Sequence, residues 1–164
     1  MNISTGYTSL DAGWNYLKPG ELVLIASRPG MGKTTLLTNI TRRASLKVKC
    51  LYFSMKLSQQ RLTSRFGALP FLVNDQVELT PTMIEQEIKF HKPALVTIDY
   101  IQLMAGERQQ LIRLLKKIAV DNNVIILTSS QLSRDLEYRP SDALRPRLTD
   151  LRHSVLFNRM QLDD

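Results

Sequence analysis

Four short apolar runs recur along the chain, at Glu21 to Ser27, Lys49 to Met55, Ala94 to Ile101 and Asn123 to Ser129. They are mostly continuous and do not alternate with polar residues, the pattern of strands covered on both faces. The intervals between them follow a helical period. Leu36, Leu37, Ile40 and Ala44 fall on one face, as do Leu111, Leu114, Leu115 and Ile118, with Arg113, Lys116 and Lys117 of the second helix turned outward. Thr80-Pro81 places an N-cap and a first-turn proline ahead of Met83, Ile84 and Ile88. Ser58 to Phe66 reads as a short helix after the second strand. Strands alternating with helices predict an α/β fold, a mainly parallel sheet with helices on both faces. Right-handed crossovers bring the strand carboxyl ends to one edge, where a ligand site is expected. Residues 1–20 read as a lead-in to the first strand, residues 135–146 as a mobile loop, and residues 154–164 stay unassigned.

With 164 residues, 43% hydrophobic and 23% charged, the whole chain reads as one ordinary domain, long enough to bury a core without crosslinks. A single cysteine, Cys50, excludes an intrachain disulfide and reads as a small buried hydrophobe. His91 and His153 stand alone and assemble no zinc-type ligand set with it. No apolar run approaches the ~20 residues a bilayer crossing needs, and the first six residues have neither a basic start nor an apolar stretch. The expectation is a soluble cytoplasmic protein without a membrane partner. Lys and Arg number 22 against 15 acids, a net +7. That excess suits a polyanionic partner such as nucleic acid and equally a solubilising surface, since the basic residues are scattered.

The chemistry concentrates after the first strand. Ser27, Arg28, Pro29, Gly30, Met31, Gly32, Lys33, Thr34 and Thr35 join that strand to a helix, the setting of a phosphate-binding loop. Gly30 and Gly32 allow main-chain N–H groups to turn inward, the helix start adds partial positive charge, Lys33 adds a full one, and the Thr34 hydroxyl suits Mg²⁺. The strict pattern has glycine where this chain has Ser27, a position at the strand end that tolerates a small side chain. Asp99 ends the apolar stretch Ala94 to Ile98, and an aspartate there can hold Mg²⁺ through a water beside such a loop. Trp14 and Tyr16 offer rings for base stacking or for packing over the sheet edge.

With those residues in place, the chain resembles the C-terminal, RecA-like ATPase domain of DnaB-type replicative DNA helicases. Five segments carry the resemblance in order: Ser4 to Asp11; Arg28 to Thr34; Ile98-Asp99-Tyr100-Ile101-Gln102-Leu103-Met104; Ser130-Gln131-Leu132-Ser133-Arg134; and Pro146 to Arg152. In that family a small residue other than glycine also stands at the place of Ser27. The resemblance implies a RecA-like P-loop fold, ATP and Mg²⁺ as cofactors, and single-stranded DNA as a partner. It further implies other replication proteins or self-association into a ring, and a role in DNA replication. Lys33, Asp99 and Gln131 would be the catalytic residues, Gln131 sensing the γ-phosphate. Arg134, Arg139, Arg145 and Arg147, with Arg152, would contact DNA or a partner, or simply be solvated.

Departures from the family pattern are equally specific. Where the family has a glutamate that activates the attacking water, this chain has Lys56, whose ammonium only donates. Binding without hydrolysis follows, unless Glu107 or Glu137 supplies the missing acid. Only twelve residues follow Arg152, where the family continues with further strands and an arginine finger. The loop after Met104 shrinks to Ala105-Gly106, and a collar domain and linker helix have no counterpart. Three readings follow: a helicase ATPase core, a non-hydrolysing module that docks on a helicase, loader or DNA, and a RecA-like recombinase or signalling ATPase, against which Ser130 to Arg134 argues.

Overall fold

The computed structural model describes residues 1–104 and 106–132. Its elements run α1 (Thr8–Trp14), β1 (Leu22–Ser27), α2 (Lys33–Ser45), β2 (Cys50–Ser54), α3 (Gln59–Phe66), β3 (Leu72–Asn74), α4 (Pro81–His91), β4 (Leu95–Asp99), a 3₁₀ turn (Ile101–Leu103), α5 (Arg108–Asp121) and β5 (Ile125–Gln131). The five strands form one sheet in the order β1-β5-β4-β2-β3, every pair parallel.

The pleat explains why the strand runs do not alternate. Leu51, Phe53, Val96, Ile98 and Ile126 point to one face and pack with Ile84 and Ile88 of α4 and Leu111, Leu115 and Ile118 of α5. Cys50, Tyr52, Leu95, Ile125 and Leu127 point to the other and pack with Leu37, Ile40 and Ala44 of α2 and Leu62 of α3. Positions of both parities in β2, β4 and β5 thus meet a helix, so apolar residues occur on both faces of those strands. The expected caps form: Thr80 Oγ1 accepts from Met83 N at 3.3 Å with Pro81 in the first turn, and Ser58 Oγ accepts from Arg61 N at 3.3 Å. Among the described residues no helix is long and apolar enough to cross a membrane.

Several expectations need correction. Strand β3 is three residues long, too short to register as an apolar run, and exists by pairing with β2 through Leu51, Tyr52 and Phe53. Strand β1 is only half-buried along its length, because among the described residues it is paired on one side, by β5. The third run stops being a strand at Asp99, and Ile101 to Leu103 turn away as the 3₁₀ segment. On α5, Arg113 and Lys117 face solvent as expected, but Leu114 is 40% exposed. Lys116 is half-buried, its ammonium donating to Gly20 O at 2.8 Å. Residues 135–146 and 154–164, with His153, lie outside the described residues.

The lead-in is structured rather than open. Ile3 and Leu17 exchange backbone hydrogen bonds at 2.8 and 2.9 Å around α1. Asp11, within α1, accepts from Thr5 N at 2.7 Å, Ser4 Oγ at 2.6 Å and Thr5 Oγ1 at 2.8 Å. Trp14 packs against the α2-side core, whereas Tyr16 is exposed. Partial burial alone would raise the Asp11 pKa, but the bonds from Ser4, Thr5 and Gly6 outweigh it and hold the carboxyl below its ordinary value. The clamp is therefore present above that ordinary value and lost as pH falls through the lower folded one. Asp11→Asn is expected to cost about 1 kcal/mol at neutral pH in urea denaturation, with the gap to the parent closing in acid. Equal stability at neutral pH would remove the clamp from the account.

Cys50 is buried, its thiol pushed up to about 12 by burial, as a small core hydrophobe should be. His91 sits on the surface of α4, 3.2 Å from Glu87 one turn earlier. The described residues contain no cluster of three metal-ligating side chains.

Candidate nucleotide-binding site

The site begins where β1 ends. Ser27 lies opposite Gln131 across the β1–β5 pairing, and Leu132 N donates to Ser27 O at 3.1 Å, so both strand ends open on one edge. The chain then turns through Gly30 and Gly32, at φ +75° and +83°, into α2. A Cβ at either would meet nothing within 4 Å, so backbone conformation, not space, selects glycine here. Gly32 is the N-cap of α2; it offers no side chain to the first-turn amides, and that turn carries no acid. Those N–H groups and the helix dipole suit an anion. Lys33 Nζ is folded back on the loop, donating to Ser27 O at 2.9 Å, Ser27 Oγ at 3.2 Å and Arg28 O at 2.9 Å. The loop holds its own cation on two carbonyls and a hydroxyl, and the residues present fit a phosphate group.

Asp99 lies at the end of β4, two strands from β1, on the sheet face that α2 covers. It is 2% exposed. Its Oδ1 accepts from Ser129 Oγ at 2.9 Å and its Oδ2 from Tyr52 OH at 3.3 Å, while Thr38 Oγ1 of α2 donates to the Tyr52 oxygen at 3.4 Å. A second polar contact ties the same helix to β4: the Thr41 and Thr97 hydroxyls meet at 2.8 Å. Burial raises the Tyr52 pKa well above the ordinary phenol value; the Asp99 charge and their hydrogen bond act in the same sense, and the Thr38 bond opposes them. Burial pushes the Lys33 ammonium below the usual lysine range, Asp99 pulls it back up, and the charge of Lys56 lowers it further. These influences put Lys33, Asp99 and Lys56 in one electrostatic neighbourhood.

The model of the DnaB-like helicase C-terminal domain matches residues 2–69 and 64–159. The chain belongs to that family. It is 31% identical over 201 aligned positions to a probable replicative DNA helicase of Trieres chinensis, an alignment covering 93% of this chain and 44% of that protein. A replicative DNA helicase DnaB of Nostoc is 27% identical, with 93% of this chain and 22% of the relative covered. The chain thus spans less than half the length of these relatives. Its fold matches the solved structure of a DnaB-like replicative helicase at a TM-score of 0.79 and 26% identity, over 94% of this chain and 50% of that one. The expected RecA-like architecture is therefore the one observed.

For this DnaB-like domain, the expected phosphate-loop residues Ser27 to Thr35, together with Asp99 and Gln131, all reach the carboxyl edge of the sheet. Lys56 joins them. Ser54 of β2 is paired with Asp99, and Met55 N donates to Asp99 O at 3.2 Å, so the chain leaves the sheet beside the aspartate. The Lys56 ammonium lies 5.9 Å from the ring centroid of Tyr100. Glu107 stands at the N-cap of α5 without a side-chain cap bond. Ala105, Glu137, Arg134, Arg139, Arg145, Arg147, Arg152 and the rest of the fourth and fifth motifs beyond Leu132 lie outside the described residues.

Sequence reasoning missed three supporting residues. Tyr52 and Ser129 hold the Asp99 carboxylate, and the Gln102 side-chain amide donates to Ser130 Oγ and to Gln131 O, bracing the end of β5. The available signal was polarity inside mostly apolar runs: the phenol of Tyr52 and the hydroxyl of Ser129.

Proposed function

We propose that this chain is an ATP-binding, RecA-like domain that acts in DNA replication, with Mg²⁺ as the companion ion and little hydrolysis by the chain alone. Lys33 carries the reading: its ammonium is held by Ser27 and Arg28 at the mouth of an uncapped helix, ready to be transferred to phosphate. In that role Lys33 pairs with the β- and γ-phosphates, and the amides from Gly30 to Thr35 surround them. Thr34 and, through a water, Asp99 would hold Mg²⁺, which when bound supplies charge neutralisation to the phosphates. Ser129 and Tyr52 keep the Asp99 carboxylate in one orientation for that task. Gln131 follows the γ-phosphate from the end of β5.

Hydrolysis needs a group that positions the attacking water and accepts its proton. Lys56 cannot accept one while it is an ammonium. The second reading, a binding module that docks on a helicase, a loader or single-stranded DNA, draws its support from this one residue. Single-stranded DNA, replication proteins and further copies of the chain are the proposed partners, with Arg134, Arg139, Arg145 and Arg147 assigned to those contacts on sequence grounds. A steady-state ATPase assay with and without single-stranded DNA tests the proposal. The expected result is turnover near background, rising in Lys56→Glu by about a hundredfold, the lower end of what a positioned base contributes. Strong DNA-stimulated turnover by the unmodified chain would overturn the non-hydrolysing reading in favour of a working motor.

A further inference from the structure

We propose that Lys56 is a second phosphate cation, so that this chain retains a nucleoside triphosphate with little need of Mg²⁺. The inference rests on the nucleotide-site reading above and extends it to the form of the ligand that the site accepts. Its first support is position. The Ser54–Asp99 pairing and the bond from Met55 N to Asp99 O fix where β2 leaves the sheet, and Lys56 follows at once. Lys33 reaches the same edge from the start of α2, so the two lysines come to it from different elements.

Availability is the second support. Among the described residues no carboxylate lies within 4 Å of either ammonium; the ion pairs there involve Lys89, His91 and Lys117. The Lys56 ammonium meets only the Tyr100 ring among them, 5.9 Å away, a weak hold for an exposed side chain. A flexible four-carbon stem lets the ammonium swing toward an anion.

On the acidic side the site is thin. Asp99 is buried, and each of its oxygens already accepts from a protein hydroxyl, Ser129 for one and Tyr52 for the other. An ammonium at position 56 adds one positive charge beside that of Lys33, and together they match the two that a divalent cation adds to a triphosphate. Lys56 therefore takes over part of the neutralising role of the ion, and it does so without presenting a base to water.

Isothermal titration calorimetry of the full chain with ATP, once in excess Mg²⁺ and once in EDTA, tests this directly. The affinity in EDTA is expected to stay within about threefold of that in Mg²⁺. Lys56→Ala should lose about tenfold or more in EDTA, the scale of one charge-assisted hydrogen bond, and less in Mg²⁺. Lys56 is exposed, so this variant keeps its fold, which circular dichroism checks. A drop of more than threefold for the parent on removing Mg²⁺, or equal EDTA affinities for parent and Lys56→Ala, overturns the inference. In either case Mg·ATP binding that Lys33→Ala abolishes leaves the nucleotide-site reading standing. Absence of ATP binding by the parent in both buffers overturns both.

Discussion

Lys33→Ala is expected to weaken Mg·ATP binding at least about a hundredfold while leaving the fold intact. A charge-assisted hydrogen bond contributes roughly 1.5–3 kcal/mol, and a hundredfold in affinity corresponds to about 2.7 kcal/mol, so loss of one ammonium with its phosphate contacts suffices. In the free chain Lys33 donates to three acceptors, Ser27 O, Ser27 Oγ and Arg28 O. These lie at a half-exposed loop where water replaces the lost donor, so the stability cost should be small beside the loss of affinity. Lys33→Arg is the informative companion, because a planar fork cannot reproduce a compact ammonium inside a turn built on Gly30 and Gly32. Calorimetry with a thermal melt on the same samples separates the two effects. Unchanged ATP affinity in Lys33→Ala would remove the phosphate-loop assignment, and the resemblance to ring helicases would then describe descent without nucleotide chemistry.

The parts of this architecture legible in the sequence are those that repeat. Strands β1, β2, β4 and β5 were readable because each carries adjacent apolar residues that feed the packing on both sheet faces, and α2 and α5 because one face repeats at the helical period. Gly30, Gly32 and Lys33 were readable because their spacing follows from how a main chain wraps an anion. Strand β3 was not, since three residues carry no period and its existence depends on β2 beside it. Helix α1 was not, since it forms around a carboxylate, Asp11, reached by Ser4 and Thr5 from outside the helix. Lys56 was visible as a departure from a family pattern, yet its closeness to Asp99 is a matter of register between β2 and β4, which no local pattern encodes. Tyr52 belongs to the same class: its hydroxyl is meaningful only once β2 lies beside β4.

That phenol links stability to the site, and Tyr52→Ala is expected to destabilise the protein by about 3–5 kcal/mol. The side chain is 0% exposed, and its ring stacks on Phe71 at a centroid distance of 5.6 Å. Truncation leaves a cavity between the sheet and α2 that the surrounding Leu37, Ile40 and Leu95 fill only in part. Against a total of roughly 5–15 kcal/mol for a domain, such a loss exposes much of the population to unfolding on mild heating. Tyr52→Phe keeps the ring and removes only the hydroxyl that donates to Asp99 and accepts from Thr38. Both bonds are long, at 3.3 and 3.4 Å. The expected cost is therefore near ~1 kcal/mol, the penalty of leaving one oxygen of a buried carboxylate with one donor fewer. Urea denaturation of the two variants measures the difference. A large gap assigns the stabilisation to packing and makes the hydroxyl a positioning group, whose removal should alter the Mg²⁺ dependence of ATP binding more than it alters the melt. Equal losses would mean instead that the Tyr52–Asp99 contact itself holds α2 to the sheet, and that the Asp99 carboxylate is first of all a structural anchor.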